Sequence, residues 1–340
     1  MRRLLVVWVI ACLGALAQPS RAEMPPGIRL VGHLDTPGIA EEVALQGELA
    51  YVADQLGGLR IVDVGQPAAP REIGSLATPD LVESVVLSGT LAFLAGYSAG
   101  LLVVDVADPQ QPRLVGSYDT PGWARGLARL GATVYVADRE AGLIEVDVAD
   151  PTHPRFAQGH GVAGWARRVR LMDGLAYVAG GQEGLQIVAL QRPEVAGGLC
   201  DTPGWARDVA VAGTVAFVAD AWAGITVVDC ANLEQPIVLA SYATPGETFA
   251  LDLHGERAYV ANGPRGLRVL EVGDPSAIRP VAAWEGGADV RGVVRADGWV
   301  FVAGGNEGLW ILSEAQQFVH LPLVQCDAQA TTKEVERSDE

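Results

Sequence analysis

From residue 28 onward, apolar residues come in short runs, and none holds a 3.6-residue rhythm long enough to make a helix. The runs are rich in Val, Ile, Leu, Tyr and Phe and are bounded by Gly, Pro and Asp. This pattern predicts short strands joined by tight turns. One stretch holds four of them, Ala124–Arg129, Thr133–Ala137, Leu143–Val148 and Arg155–Gln158, here named strands a, b, c and d. A glycine-centred turn at Gly131 joins a to b, as a hairpin needing positive φ requires. An Asp-Pro-x-x-Pro turn joins c to d, where proline fixes φ and aspartate bonds its own backbone.

Laid on itself, the chain repeats. Leu101-Leu102-Val103-Val104-Asp105-Val106-Ala107-Asp108-Pro109 returns as Leu143-Ile144-Glu145-Val146-Asp147-Val148-Ala149-Asp150-Pro151, an offset of 42 residues. Weaker versions begin at Leu59, Leu185, Ile225, Leu267 and Leu309, giving seven copies. Two more phrases keep the same phase. One is of the type Val134-Tyr135-Val136-Ala137-Asp138 and the other is Thr-Pro-Gly, as at Thr120-Pro121-Gly122. A four-stranded unit repeated at this period predicts an all-β fold, a seven-bladed β-propeller of four-stranded antiparallel blades. The phase starts on a d-type run, Ile28–Leu34, before the first a strand. That run is therefore expected to close the ring against Leu309–Leu312, with Phe318–Val324 as the competing strand.

The run Leu-x-x-Val-Asp-Val-x-Asp-Pro-x-x-Pro, with Tyr-Val-Ala-Asp upstream and Asp-Thr-Pro-Gly downstream, resembles the LVIVD-repeat family over residues 28 to about 314. The resemblance implies a propeller of the bacterial or archaeal surface or exported fraction, and no defined reaction. The fourth copy departs from the pattern: Ala189 replaces the aspartate, and Val162-Ala163-Gly164 replaces Thr-Pro-Gly.

Outside the repeats, Met1-Arg2-Arg3 and the apolar Leu4–Leu16 form an export signal over residues 1–22, with cleavage expected after Ala22. The repeats then span 28–316, and 317–340 is a tail whose last ten residues read as disordered. No segment is long and apolar enough for a membrane span. The expected location is secreted, cell-surface or periplasmic, as a monomer. The net charge of −17 opposes nucleic acid as a partner. Cys200 and Cys230 are expected to be unbonded, because they sit at opposite strand ends roughly 17 Å apart, whereas bonded cysteines hold their Cα atoms within about 7 Å.

Candidate chemistry follows the register. Asp63, Asp105, Asp147, Asp229 and Glu271 recur once per blade and are expected to cap the c–d turn. Glu41 and Glu83 hold equivalent places on adjacent inner strands and are the candidate ligands of a channel Ca2+. Just after Thr-Pro-Gly, three successive blades carry Trp-Ala-Arg, placing Trp123, Arg125, Trp165, Arg167, Trp205 and Arg207 on one arc of the channel rim; Arg291 holds the same register in the seventh copy. Tryptophan offers an apolar face and arginine a planar fork of donors. The expected function is a non-enzymatic binding scaffold for an extracellular protein or an anionic glycan. A hydrolase- or lactonase-like enzyme with a channel Ca2+ and a structural envelope protein are the alternatives.

Overall fold

The computed structural model describes residues 27–190 and 197–314. The signal segment, the tail and the competing strand Phe318–Val324 lie outside these residues. Seven four-stranded antiparallel sheets are present, with no helix among the described residues. Blade 1 shows the plan: Glu42–Gln46 is strand a, Leu49–Ala53 b, Leu59–Asp63 c and Arg71–Leu76 d. The a strands of successive blades contact one another around a closed ring, so they line the central channel. In blade 7, Ile28–Leu34 pairs with Leu309–Glu314, from Ile28 opposite Glu314 to Leu34 opposite Leu309. The N-terminal run is therefore the d strand of the last blade.

The core lies between blades rather than within them. One cluster joins Tyr51, Leu59 and Ile61 of blade 1 to Val82, Leu94 and Val104 of blade 2, and its neighbours repeat the arrangement. Each b strand contributes one buried aromatic ring, such as Phe93 at 1% exposure and Tyr259 at 1%. The d strand is pressed by the next blade's c–d turn. A Cβ at Gly116 would lie 2.2 Å from the Pro151 carbonyl oxygen, so only glycine fits there. The c-strand aspartates do cap that turn: Asp105 accepts from the Ala107 amide at 3.0 Å and Asp147 from the Ala149 amide at 2.9 Å. Cys200 and Cys230 are free and buried, in the core shared by blades 4 and 5.

Blades are also stitched by backbone. In blade 2, Tyr97 donates its amide to the Ala124 carbonyl of blade 3 at 3.1 Å and accepts the Ala124 amide at 3.0 Å. Seven such bridges ring the channel, and Gly305 to Ala40 is the one that spans the closure. This corrects a boundary. Strand a of the third copy begins at Gly126, not Ala124, because the Ala124 backbone is taken by the neighbouring blade. In the fourth blade, among the described residues, Leu199–Cys200 is the d strand.

Candidate functional site

The bridges put the b–c loops and the starts of the a strands on one face. There the loop residue that makes the bridge holds positive φ, and this position differs from blade to blade: Gln55, Tyr97, Arg139, Gly181, Ala221, Gly263 and Gly305. A non-glycine residue in this conformation is strained by about 1 kcal/mol or more, and the side chains of Tyr97 and Arg139 make contacts that help to offset it. Tyr97 stacks on Trp123 with centroids 4.8 Å apart. The Arg139 guanidinium lies 4.1 Å from the Trp123 ring centre and 3.9 Å from that of Trp165. Trp165 in turn meets Trp205 edge-on at 5.4 Å, and Trp205 lies over Gly181. The three sequence-predicted tryptophans thus form one ladder across blades 2 to 5, with Arg139 inserted between two of them.

This ladder changes what the tryptophans offer. The Trp123 ring has both Tyr97 and Arg139 against it, which leaves less of it open to a sugar. Its edge and that of Trp165 stay accessible, at 40% and 37% exposure. Two residues at the loop tips are more open: Leu56 at 82% and Trp222 at 64%. They occupy the same position in their loops, one residue after Gln55 and Ala221.

Behind the ladder, the channel mouth opens into a cavity of about 320 Å3. Five arginines line it, Arg125, Arg167, Arg168, Arg207 and Arg291, against two glutamates, Glu41 and Glu83. The sequence treats the arginines as equivalent; the structure does not. Arg125 pairs with Glu83 at 3.2 Å. Arg207 pairs with Glu247 and lies over the Phe249 ring. Arg291 donates to Glu41 at 2.5 Å and pairs with Asp289 at 3.1 Å. Arg168 donates to the carbonyls of Arg125, at 2.6 Å, and Glu83, at 3.1 Å, with Glu42 3.7 Å away. Among the described residues, no hydrogen bond or ion pair engages the Arg167 guanidinium, while its backbone amide donates to the Ala179 carbonyl at 2.9 Å.

The carboxylates follow the same logic. Glu41 also accepts from Gln55 at 2.5 Å. Burial, and behind it the Glu83 charge, raise the Glu41 pKa, while Arg291 and Arg168 pull it down. Glu41 and Glu83, marked by the sequence as cation ligands, therefore face guanidinium groups, and a hard cation between them would meet five positive neighbours. The cavity is complementary to an anion. Among the described residues, no group of three or more His, Cys, Asp or Glu side chains is placed to hold a metal. Register places Phe249 of the sixth copy at the position of Arg125, Arg167, Arg207 and Arg291, but had no means of finding Arg168, Leu56 and Trp222; the variability of the b–c loop tip was the available signal for the last two.

The LVIVD repeat family matches residues 37–78, 81–120, 121–159, 163–189 and 203–244. The chain belongs to that family. The sixth and seventh copies lie beyond the matched segments and build the same blade. No curated protein matches the LVIVD chain. Among solved structures, it is similar to U3-55K, with a TM-score of 0.70 and 12% identity over 84% of this chain and 98% of that one. The Pan2 WD40 domain of Neurospora crassa gives a TM-score of 0.67 and 11% identity over 85% and 96%. A chain of the mitotic checkpoint complex gives 0.67 and 14% over 92% and 98%. At these identities the likeness concerns the fold.

Proposed function

We propose that this LVIVD protein is an exported, non-enzymatic scaffold that binds a partner protein on its loop face. The fold supports a binding role, since propellers present one broad face of variable loops on a rigid ring. The observation that carries the choice of partner is the pattern of exposure. Leu56 and Trp222 stand open at loop tips, with the edges of Trp123 and Trp165 between them, and exposed apolar anchors of this kind suit a protein interface. The packing of Tyr97 and Arg139 against Trp123 leaves less of the ring for a sugar to stack on, which favours a protein partner over an anionic glycan. The signal-like residues 1–22 support export.

Peptide display selection on the mature chain tests the reading. Enriched sequences should pair apolar or aromatic residues with acidic ones, and the double variant Leu56→Ala/Trp222→Ala should lose them at least tenfold in affinity. Recovery of no peptide family, together with retention on an anionic polysaccharide matrix, would replace the protein partner by a glycan.

A further inference from the structure

We propose that the channel mouth binds a compact oxyanion, a sulfate, phosphate or carboxylate group, with Arg167 as its principal anchor. Four of the five arginines in the cavity are already engaged by protein groups: Arg125 by Glu83, Arg207 by Glu247, Arg291 by Glu41 and Asp289, and Arg168 by two backbone carbonyls. Arg167 is the guanidinium left over, and it faces the cavity of about 320 Å3. A guanidinium presents a planar fork of donors that matches the oxygens of these anions. Its surroundings add repulsion: burial, then the charges of Arg125 and Arg207 and that of Arg168, push the Arg167 pKa down to about 9, with Glu83 as a partial counterweight. An oxyanion beside it removes that repulsion and supplies the missing acceptor. The site lies deep in the mouth of an acidic protein, so its sign is opposite to that of the whole chain at −17.

The size of the cavity admits a free anion, and its position on the loop face also admits an aspartate or glutamate of a docked protein. The two sources share one chemistry. Binding of the free anion does not depend on the proposed partner surface, so the two readings fail separately.

The test uses the mature chain with sodium sulfate, sodium phosphate and sodium acetate, each against sodium chloride at equal ionic strength. Because a ligand of the native state stabilises it, at least one oxyanion should raise the melting temperature saturably above the chloride control. Titration calorimetry should show at least a tenfold loss of affinity in Arg167→Gln and partial retention in Arg167→Lys. A Glu-rich peptide that displaces the bound sulfate identifies a partner's carboxylate as the guest; a bound sulfate that the peptide leaves in place identifies a free anion. Equal shifts in wild type and Arg167→Gln, or no shift beyond chloride, overturn the proposal. If Arg167→Gln does not fold, wild-type crystals grown with selenate decide it. An anomalous peak within hydrogen-bonding distance of Arg167 supports the site, and peaks found only elsewhere overturn it.

Discussion

Thr120 donates its hydroxyl hydrogen to Asp138, eighteen residues on, at 2.6 Å in the buried interior. The same carboxylate accepts the Gly122 amide at 2.7 Å. The Thr-Pro-Gly turn entering a blade is thus clasped by the aspartate that follows strand b of that blade. Thr36 with Asp54 and Thr202 with Asp220 repeat the clasp. Blade 6 keeps it with Asn262, whose amide group donates to Thr244 at 3.0 Å. In blade 2, Gly96 stands in the aspartate's place and Asp80 of the turn accepts from Ser98 instead, so the bond survives with its ends exchanged.

Removing the donor should therefore be costly. Thr120→Val leaves a buried carboxylate oxygen without its partner, at about 1–3 kcal/mol. Urea unfolding should show that loss with an unchanged slope. A loss under about 0.3 kcal/mol would mean that water or relaxation replaces the bond.

The clasp aspartates also titrate with folding. Burial raises the pKa of Asp54, Asp138 and Asp220, against the lowering by their hydrogen bonds. A raised folded value means the native state holds the proton more tightly than the unfolded chain. This contribution is fully present below the ordinary value of 3.8 and is lost as pH rises through the folded value. Asp138→Asn, which copies the arrangement at Asn262, should flatten that decline. Urea midpoints measured between pH 3.5 and 7 would sink the argument if the two proteins gave parallel curves.

Ring closure gives a third expectation. Deleting residues through Leu34 removes the d strand of blade 7 and leaves Leu309–Glu314 as an unpaired edge. The truncated protein should melt markedly lower and self-associate, as seen by calorimetry and sedimentation. Unchanged melting would mean that another segment takes that edge.

Arg139 carries the fourth. Its φ is 51°, a conformation that glycine holds without strain. Arg139→Ala should lose about 0.5–2 kcal/mol with the contacts to Trp123 and Trp165 and shift tryptophan emission to the red. Arg139→Gly should show the same emission shift and a smaller loss of stability. Equal losses in the two variants would argue against a strained backbone.

Much of this was legible because repetition exposes it. The three phrases fixed the blade count, and the leading d-type run at Ile28 fixed the closure. Tyr97 and Arg139 lie in the same variable loop, yet their stacking on the tryptophans depends on the lateral approach of the next blade, which no single repeat contains. The pairing state of the arginines was hidden for the same reason. Glu83 lies one blade before Arg125, whereas Glu247 lies one blade after Arg207, so register makes Arg167 look like its neighbours. Simple strand alternation would also set Arg168 on the face opposite Arg167; the reach of its long side chain brings it to the channel as well. The clasp did have a signal, a constant spacing of eighteen from threonine to aspartate, but it joins two phrases that each look complete alone.

The ring joins the two extremes of its described chain, and the seam runs through the mouth. The strand Ile28–Leu34 has no partner until Leu309–Glu314 exists, and the Arg291–Glu41 pair and the Gly305–Ala40 bridge both cross the same boundary. Such distant pairing comes late and slowly in folding. A chain that stops short of the last repeat therefore lacks more than a blade: its Glu41 has no Arg291 beside it, and the mouth loses one of its five arginines. The loop face is complete only once Leu309–Glu314 has met Ile28–Leu34, so its shape depends on every blade in between.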